Sequence, residues 1–127
     1  MDVFENVTEK RRHNVHSHAN CVLHIGIMLT LADDQYQSEK QRPHPNEGLL
    51  RYWQGYKQGL NDLEKQIHTR QLEIPRVAQE LLGITQAKLA DEGNTDADRQ
   101  HLAGRETALA VFLRDYASGF SGGAHLS

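Results

Sequence analysis

The sequence is short of the features that anchor a chain to a compartment or a chemistry. A single cysteine, Cys21, leaves no partner for an internal disulfide and fits a reducing compartment. The first residues, Met1-Asp2-Val3-Phe4-Glu5, lack the basic stretch and apolar run of a secretory signal. The longest apolar stretch, Cys21 to Ala32, is broken by His24, Gly26 and Thr30 and falls short of the ~20 residues a membrane-crossing helix needs. A soluble cytoplasmic protein is the resulting expectation. There is no excess of positive charge either: 14 bases against 17 acids give a net charge of −3. That argues against a body that grips nucleic acid over its whole surface, while leaving room for a local basic face.

Recognisable catalytic patterns are also missing. Ser17, Ser38, Ser118, Ser121 and Ser127 lie in no nucleophile-elbow context, and Gly122-Gly123 precedes no helix that could cradle a phosphate. Cys21 sits in an apolar run, where a thiol tends to be inert. Asp33-Asp34 and Asp91-Glu92 read as solvated pairs at helix ends or turns. The sequence gives enzymatic activity no support without excluding it, and no cofactor is expected.

What is present is helical periodicity. With 127 residues and 38% hydrophobic content, the chain fits one domain with a modest core. Leu49, Trp53, Tyr56, Leu60, Leu63 and Ile67 alternate at spacings of four and three, which keeps one stripe on one side of a helix between Asn46 and Gln71. Asn46 can cap it, and Pro43 and Pro45 keep any earlier helix from running through. Pro75 suits the first turn of the next helix, whose apolar face is Val77, Ala78, Leu81, Leu82, Ile84 and Leu89. Asp91-Glu92-Gly93-Asn94 ends that helix. Thr95 and Asp98 resemble a capping box for the last one, which carries Leu102, Leu109, Phe112, Leu113, Tyr116 and Phe120. Gly119, Gly122 and Gly123 stop it.

The N-terminal third allows two readings. As a strand, Cys21, Leu23, Ile25, Ile27, Leu29 and Leu31 alternate strictly. As a helix, Val15, Ala19, Leu23, Ile27 and Leu31 recur every fourth residue. No second β-branched run offers a pairing partner within the chain, which favours a helix from about Thr8 to Gln37 over a strand paired across a dimer. The polar stretch from Ser38 to Gly48 becomes the connection. The expected architecture is all-α, a compact bundle of about four helices completed by homodimerisation. Residues 1–117 form the domain, and 118–127 form a flexible tail containing Gly and Ser.

Three constellations bear on function. Gly55 and Gly59 lie four apart beside Trp53 and Tyr56, and two glycines inside a helix cost ~1–2 kcal/mol unless close approach of another backbone offsets them. With Tyr116 and Phe120, they are read as a tight seam within or between subunits. The segment from Arg76 to Ala90 resembles part of a helix-turn-helix. Gly83 would stand at the turn, Thr85 would open the recognition helix, and Gln86 and Lys88 would reach base edges or phosphate. Four of the eight histidines, His13, His16, His18 and His24, fall close to Cys21. Of these, His13 and His16 share a helix face and could bind a metal with His68 or His101. The histidines also make charge conditional, since protonating all eight would move the net charge from −3 to +5. The leading reading is a non-enzymatic helical protein acting by protein–protein contact as an adaptor, inhibitor or regulator, in homodimeric form with an unnamed protein partner. A DNA-binding regulator is the alternative, and a His-ligated metal-binding protein the second.

Overall fold

The structure, a computed structural model, describes the backbone of residues 2–70 and 73–119 and the side chains of 18–70 and 73–119. It is an all-α bundle of four helices: α1 (Asp2–Lys40), α2 (Glu47–Thr69), α3 (Ile74–Leu89) and α4 (Asp96–Ala117). The segment that also read as a strand lies inside α1, and no strand occurs among the described residues. A helix satisfies its own backbone, whereas a strand at Cys21–Leu31 would have needed a partner. The first helix runs beyond the expected Thr8–Gln37 at both ends, so the connection shortens to residues 41–46. The remaining Gly-containing segment, 120–127, and Phe120 with it lie outside the described residues.

Local chemistry sets the boundaries. Asn46 caps α2, its side chain accepting from the Leu49 N–H at 3.1 Å. Its own N–H donates to the Glu39 carboxylate at 2.8 Å, so one residue closes both sides of the first connection. Thr95 and Asp98 form the reciprocal capping box of α4, with bonds of 3.1 and 3.2 Å. After α3, the Asp91 carboxylate accepts from the Gly93 N–H at 2.9 Å and the Asn94 amide closes on the Lys88 carbonyl at 2.6 Å. Pro75 sits in the first turn of α3, where a missing N–H is harmless. The α4 helix ends on Gly119 at φ 67°, a left-handed conformation that glycine adopts without a Cβ penalty.

Helices α2 and α4 form the central pair, with α1 packed chiefly on α2 and α3 chiefly on α4. The central pair runs parallel, Gly55 lying against His101 and Gly59 against Arg105. The approach is closest where side chains are missing. A Cβ on Gly55 would stand 1.8 Å from the His101 carbonyl oxygen, and one on Gly104 would stand 1.8 Å from that of Tyr52. The glycine seam therefore lies inside the subunit. This corrects the intersubunit alternative for Gly55 and Gly59, which are buried by α4 and cannot meet a second copy.

Ile25 from α1, Leu60, Leu63 and Ile67 from α2, Ile74 and Val77 from α3, and Leu109 and Phe112 from α4 are fully enclosed in the common core. One polar group ties three helices together around it. The Arg105 guanidinium donates to Asp62 on α2 and, at 3.2 Å, to the Thr85 hydroxyl on α3.

Candidate interaction surface

The first helix distributes its apolar residues between two faces. Cys21, Ile25, Met28 and Ala32, at spacings of four, three and four, are buried against the bundle. The intervening stripe of Leu23, Ile27 and Leu31 points the other way and remains 65%, 49% and 60% exposed. The four-residue repeat that identified this segment as a helix is thus not its core face. Val22, Gly26 and Thr30 complete a shallow apolar groove between these side chains. A Cβ at Gly26 would touch nothing within 4 Å, so the groove floor is open to an approaching backbone. Thr30, the one polar side chain in the groove, donates its hydroxyl to the Gly26 carbonyl at 2.9 Å. Covering the groove would leave that hydroxyl satisfied.

Specific polar contacts hold this helix in place, so that its outer face is presented rigidly. His24 Nε2 lies 2.7 Å from the Asp115 carboxylate on α4, with both side chains largely shielded. Lys57 on α2 donates to Asp33 at 2.9 Å, and its ammonium lies 4.6 Å from the centre of the Tyr36 ring. The ammonium holds the Asp33 carboxyl below the usual carboxylate range through its hydrogen bond and charge. Near the end of α2, the His18 and His68 rings meet edge to face at 5.9 Å.

The other expected site residues fall elsewhere. Trp53 is half-buried in a cluster with Tyr52 and Tyr56, at ring separations of 5.1 and 5.3 Å. Tyr56 and Tyr116 pack against the core from its margin. These aromatics support the bundle; the exposed apolar stripe lies on α1, while Leu49 on α2 and Ile84 on α3 are further exposed apolar side chains.

The helix-turn-helix is not formed. The α3 helix passes through Gly83 without a break, so the expected turn is absent. Thr85 is fully buried, donating to the Leu81 carbonyl at 2.8 Å and accepting from Arg105, and cannot reach a base. Gln86 and Lys88 are exposed, but on the last turn of a helix that opens at Ile74. The motif needs a change of direction at the glycine. Here, continued helix hydrogen bonding at a solvent-facing position costs only ~1 kcal/mol relative to alanine.

His13 and His16 belong to α1, but their side chains lie outside the described residues. Their two alternative co-ligands lie at different levels of the bundle. His68 lies in the last turn of α2, whereas His101 packs opposite Gly55, about 20 Å earlier along that helix at ~1.5 Å per residue. Among the described residues, no group of three or more His, Cys, Asp or Glu side chains could hold a metal ion. Cys21 is sealed in the core, and burial pushes its thiol pKa up to about 12. No described helix is long and apolar enough to cross a membrane.

Comparison with known proteins returned no match to a protein family, a curated protein or a solved structure.

Two features escaped the sequence reading. Gly104 is as indispensable to the central seam as Gly55, and its signal was a lone glycine amid the alanines of α4. The outward direction of the Leu23 stripe had no local signal, because its apolar character suits a core equally well.

Proposed function

We propose that this chain is a small non-enzymatic helical protein that works by protein–protein contact, as an adaptor, inhibitor or regulator, and that the outer face of α1 is its contact surface. The observation that carries this reading is the contiguous exposure of Leu23, Ile27 and Leu31 around the Gly26 groove. Isolated exposed leucines are ordinary, but a continuous apolar stripe on a rigid helix is the pattern of an interaction site. The homodimer expected from composition would use this face, since the glycine seam is consumed within the subunit. Sealing of the one thiol in the core supports a role that does not use it as a nucleophile.

The test is in-cell cross-linking followed by quantitative recovery of cross-linked species, comparing the native chain with a Leu23→Glu, Ile27→Glu double variant. Both positions are exposed, so the variant should keep its helicity and melting temperature. Loss of the cross-linked species supports the reading. An unchanged set of products from the two proteins would refute it.

A further inference from the structure

We propose that the cavity between the end of α3 and the start of α4 binds a small zwitterion, a molecule with an ammonium and a carboxylate on one short carbon skeleton, such as a free amino acid. The site lies apart from the α1 face and does not depend on the contact reading above.

Three pieces of chain enclose it. The end of α3 supplies Lys88, the connection supplies Asp91 and Asn94, and the first turns of α4 supply Asp98, His101 and Leu102. The cavity holds about 270 Å³, just under the ~300–1,000 Å³ usual for small-molecule sites. Its polar walls are held by bonds that need no ligand. One oxygen of Asp91 accepts from the Gly93 N–H at 2.9 Å, and one oxygen of Asp98 accepts from the Thr95 N–H at 3.2 Å. The Asn94 amide nitrogen is spent on the Lys88 and Asp91 carbonyls, at 2.6 and 3.0 Å. Each of these side chains is fixed and keeps a second oxygen. Asp91 Oδ2, Asp98 Oδ1 and Asn94 Oδ1 have no partner among the described residues, and neither do the Lys88 ammonium and the His101 ring.

The mixture of charges selects the ligand. Lys88 brings one positive charge to the lining, and Asp91 and Asp98 bring two negative ones. A simple anion would meet both carboxylates, and a simple amine would meet the Lys88 ammonium. A molecule carrying both charges can pair its ammonium with the carboxylates and its own carboxylate with Lys88. A metal ion does not fit, since no group of three or more described His, Cys, Asp or Glu side chains could hold one. Burial, then the Arg105 charge, keeps His101 below its ordinary 6.5. At neutral pH its ring therefore offers one donor and one acceptor and adds no further charge. Leu102 gives the carbon skeleton an apolar wall.

Titration of the isotope-labelled full chain with L-leucine and L-alanine, followed by amide NMR shifts, tests the assignment. The controls are isocaproate and isoamylamine, which are leucine without its ammonium and without its carboxylate. The amino acids should give saturable shifts centred on the segment from Lys88 to Leu102, with dissociation constants on the order of 1 mM. Each half-molecule should bind about tenfold more weakly or worse than leucine. Lys88 and Asp91 are exposed, so Lys88→Met and Asp91→Asn should keep the melting temperature while each weakens leucine about tenfold. Absence of saturable shifts with both amino acids, or shifts centred elsewhere, overturns the site. Binding of either half-molecule as tight as leucine, or leucine binding unmoved by Lys88→Met, overturns the zwitterion as its ligand.

Discussion

Glycine at three positions determines how closely the central helices can approach, and the same residue at a fourth position contributes nothing to packing. Gly55 and Gly104 each face a carbonyl oxygen at a distance no Cβ could share, while a Cβ on Gly59 would stand 3.1 Å from Arg105 Cγ. Backbone cannot yield as a flexible side chain can. We expect Gly104→Ala to destabilise the fold by about 3 kcal/mol or more, at or beyond the upper end for overpacked interiors. Gly83 lies in the middle of α3 with open space around its Cβ direction. Gly83→Ala should therefore stabilise by about 0.5–1 kcal/mol through helix propensity alone. Urea titrations of the two variants check the pair, and like-signed shifts would contradict this account. The sequence announced the Gly55/Gly59 pair through its cost in a helix. It gave no means of ranking Gly104 above Gly83, because each is a lone glycine in a helical pattern and only the neighbouring chain distinguishes them.

Individual helices were legible wherever ends carry their own chemistry. Asn46 and the Thr95/Asp98 box cap the helices they were expected to cap, because the bonds involved span only three residues. Thr95→Ala removes the side-chain oxygen that accepts from the Asp98 N–H and should cost about 1 kcal/mol, seen as a lower urea midpoint with unchanged slope. A wild-type midpoint would mean that α4 owes its start to packing. The helix-turn-helix pattern failed for a complementary reason. A turn at Gly83 and a helix through it place similar residues in sequence, and the choice belongs to what α3 packs against. Val77 and Ala78 are buried and Thr85 is held by Arg105 from α4, so an unbroken helix satisfies contacts at both of its ends.

At the scale of the molecule, charge and stability should vary together with pH. Burial, then the nearby Arg105 charge, holds His101 below its ordinary value of 6.5. The unfolded chain takes up that proton first, so stability is full above about 6.5 and declines as pH falls toward the folded-state value. A second decline follows from the carboxyls. The Asn46 N–H first, then Arg42, holds Glu39 below its ordinary 4.5. Arg70, with a smaller contribution from Arg76, does the same for Glu80. Their contribution is present above that value and lost as pH falls through the lowered ones. Urea midpoints across pH 3 to 8 should therefore show two steps of the same sign. His101→Gln should flatten the upper step and Glu39→Gln should reduce the lower. A stability maximum near pH 5 would contradict the His101 assignment, and a midpoint that does not fall below pH 4.5 would contradict the carboxyl one. The eight histidines, read in sequence as a switch of net charge and in part as metal ligands, thus include one whose titration is tied to the central seam.

By itself, the sequence determined the four helices, their caps and the all-α class, because periodicity and end chemistry act over a few residues. It also contained the stripe from Leu23 to Leu31. Only the tertiary structure decided which stripe of α1 is core, which glycines meet backbone, and that Thr85 is buried under Arg105. Those outcomes depend on the direction each helix face takes in the bundle. One face of α1 buries Cys21, Ile25, Met28 and Ala32, and once that face is against α2 the rotation of the helix is set, leaving the other stripe in solvent. An apolar residue reads alike in sequence whether it is sealed inside or waiting for a partner.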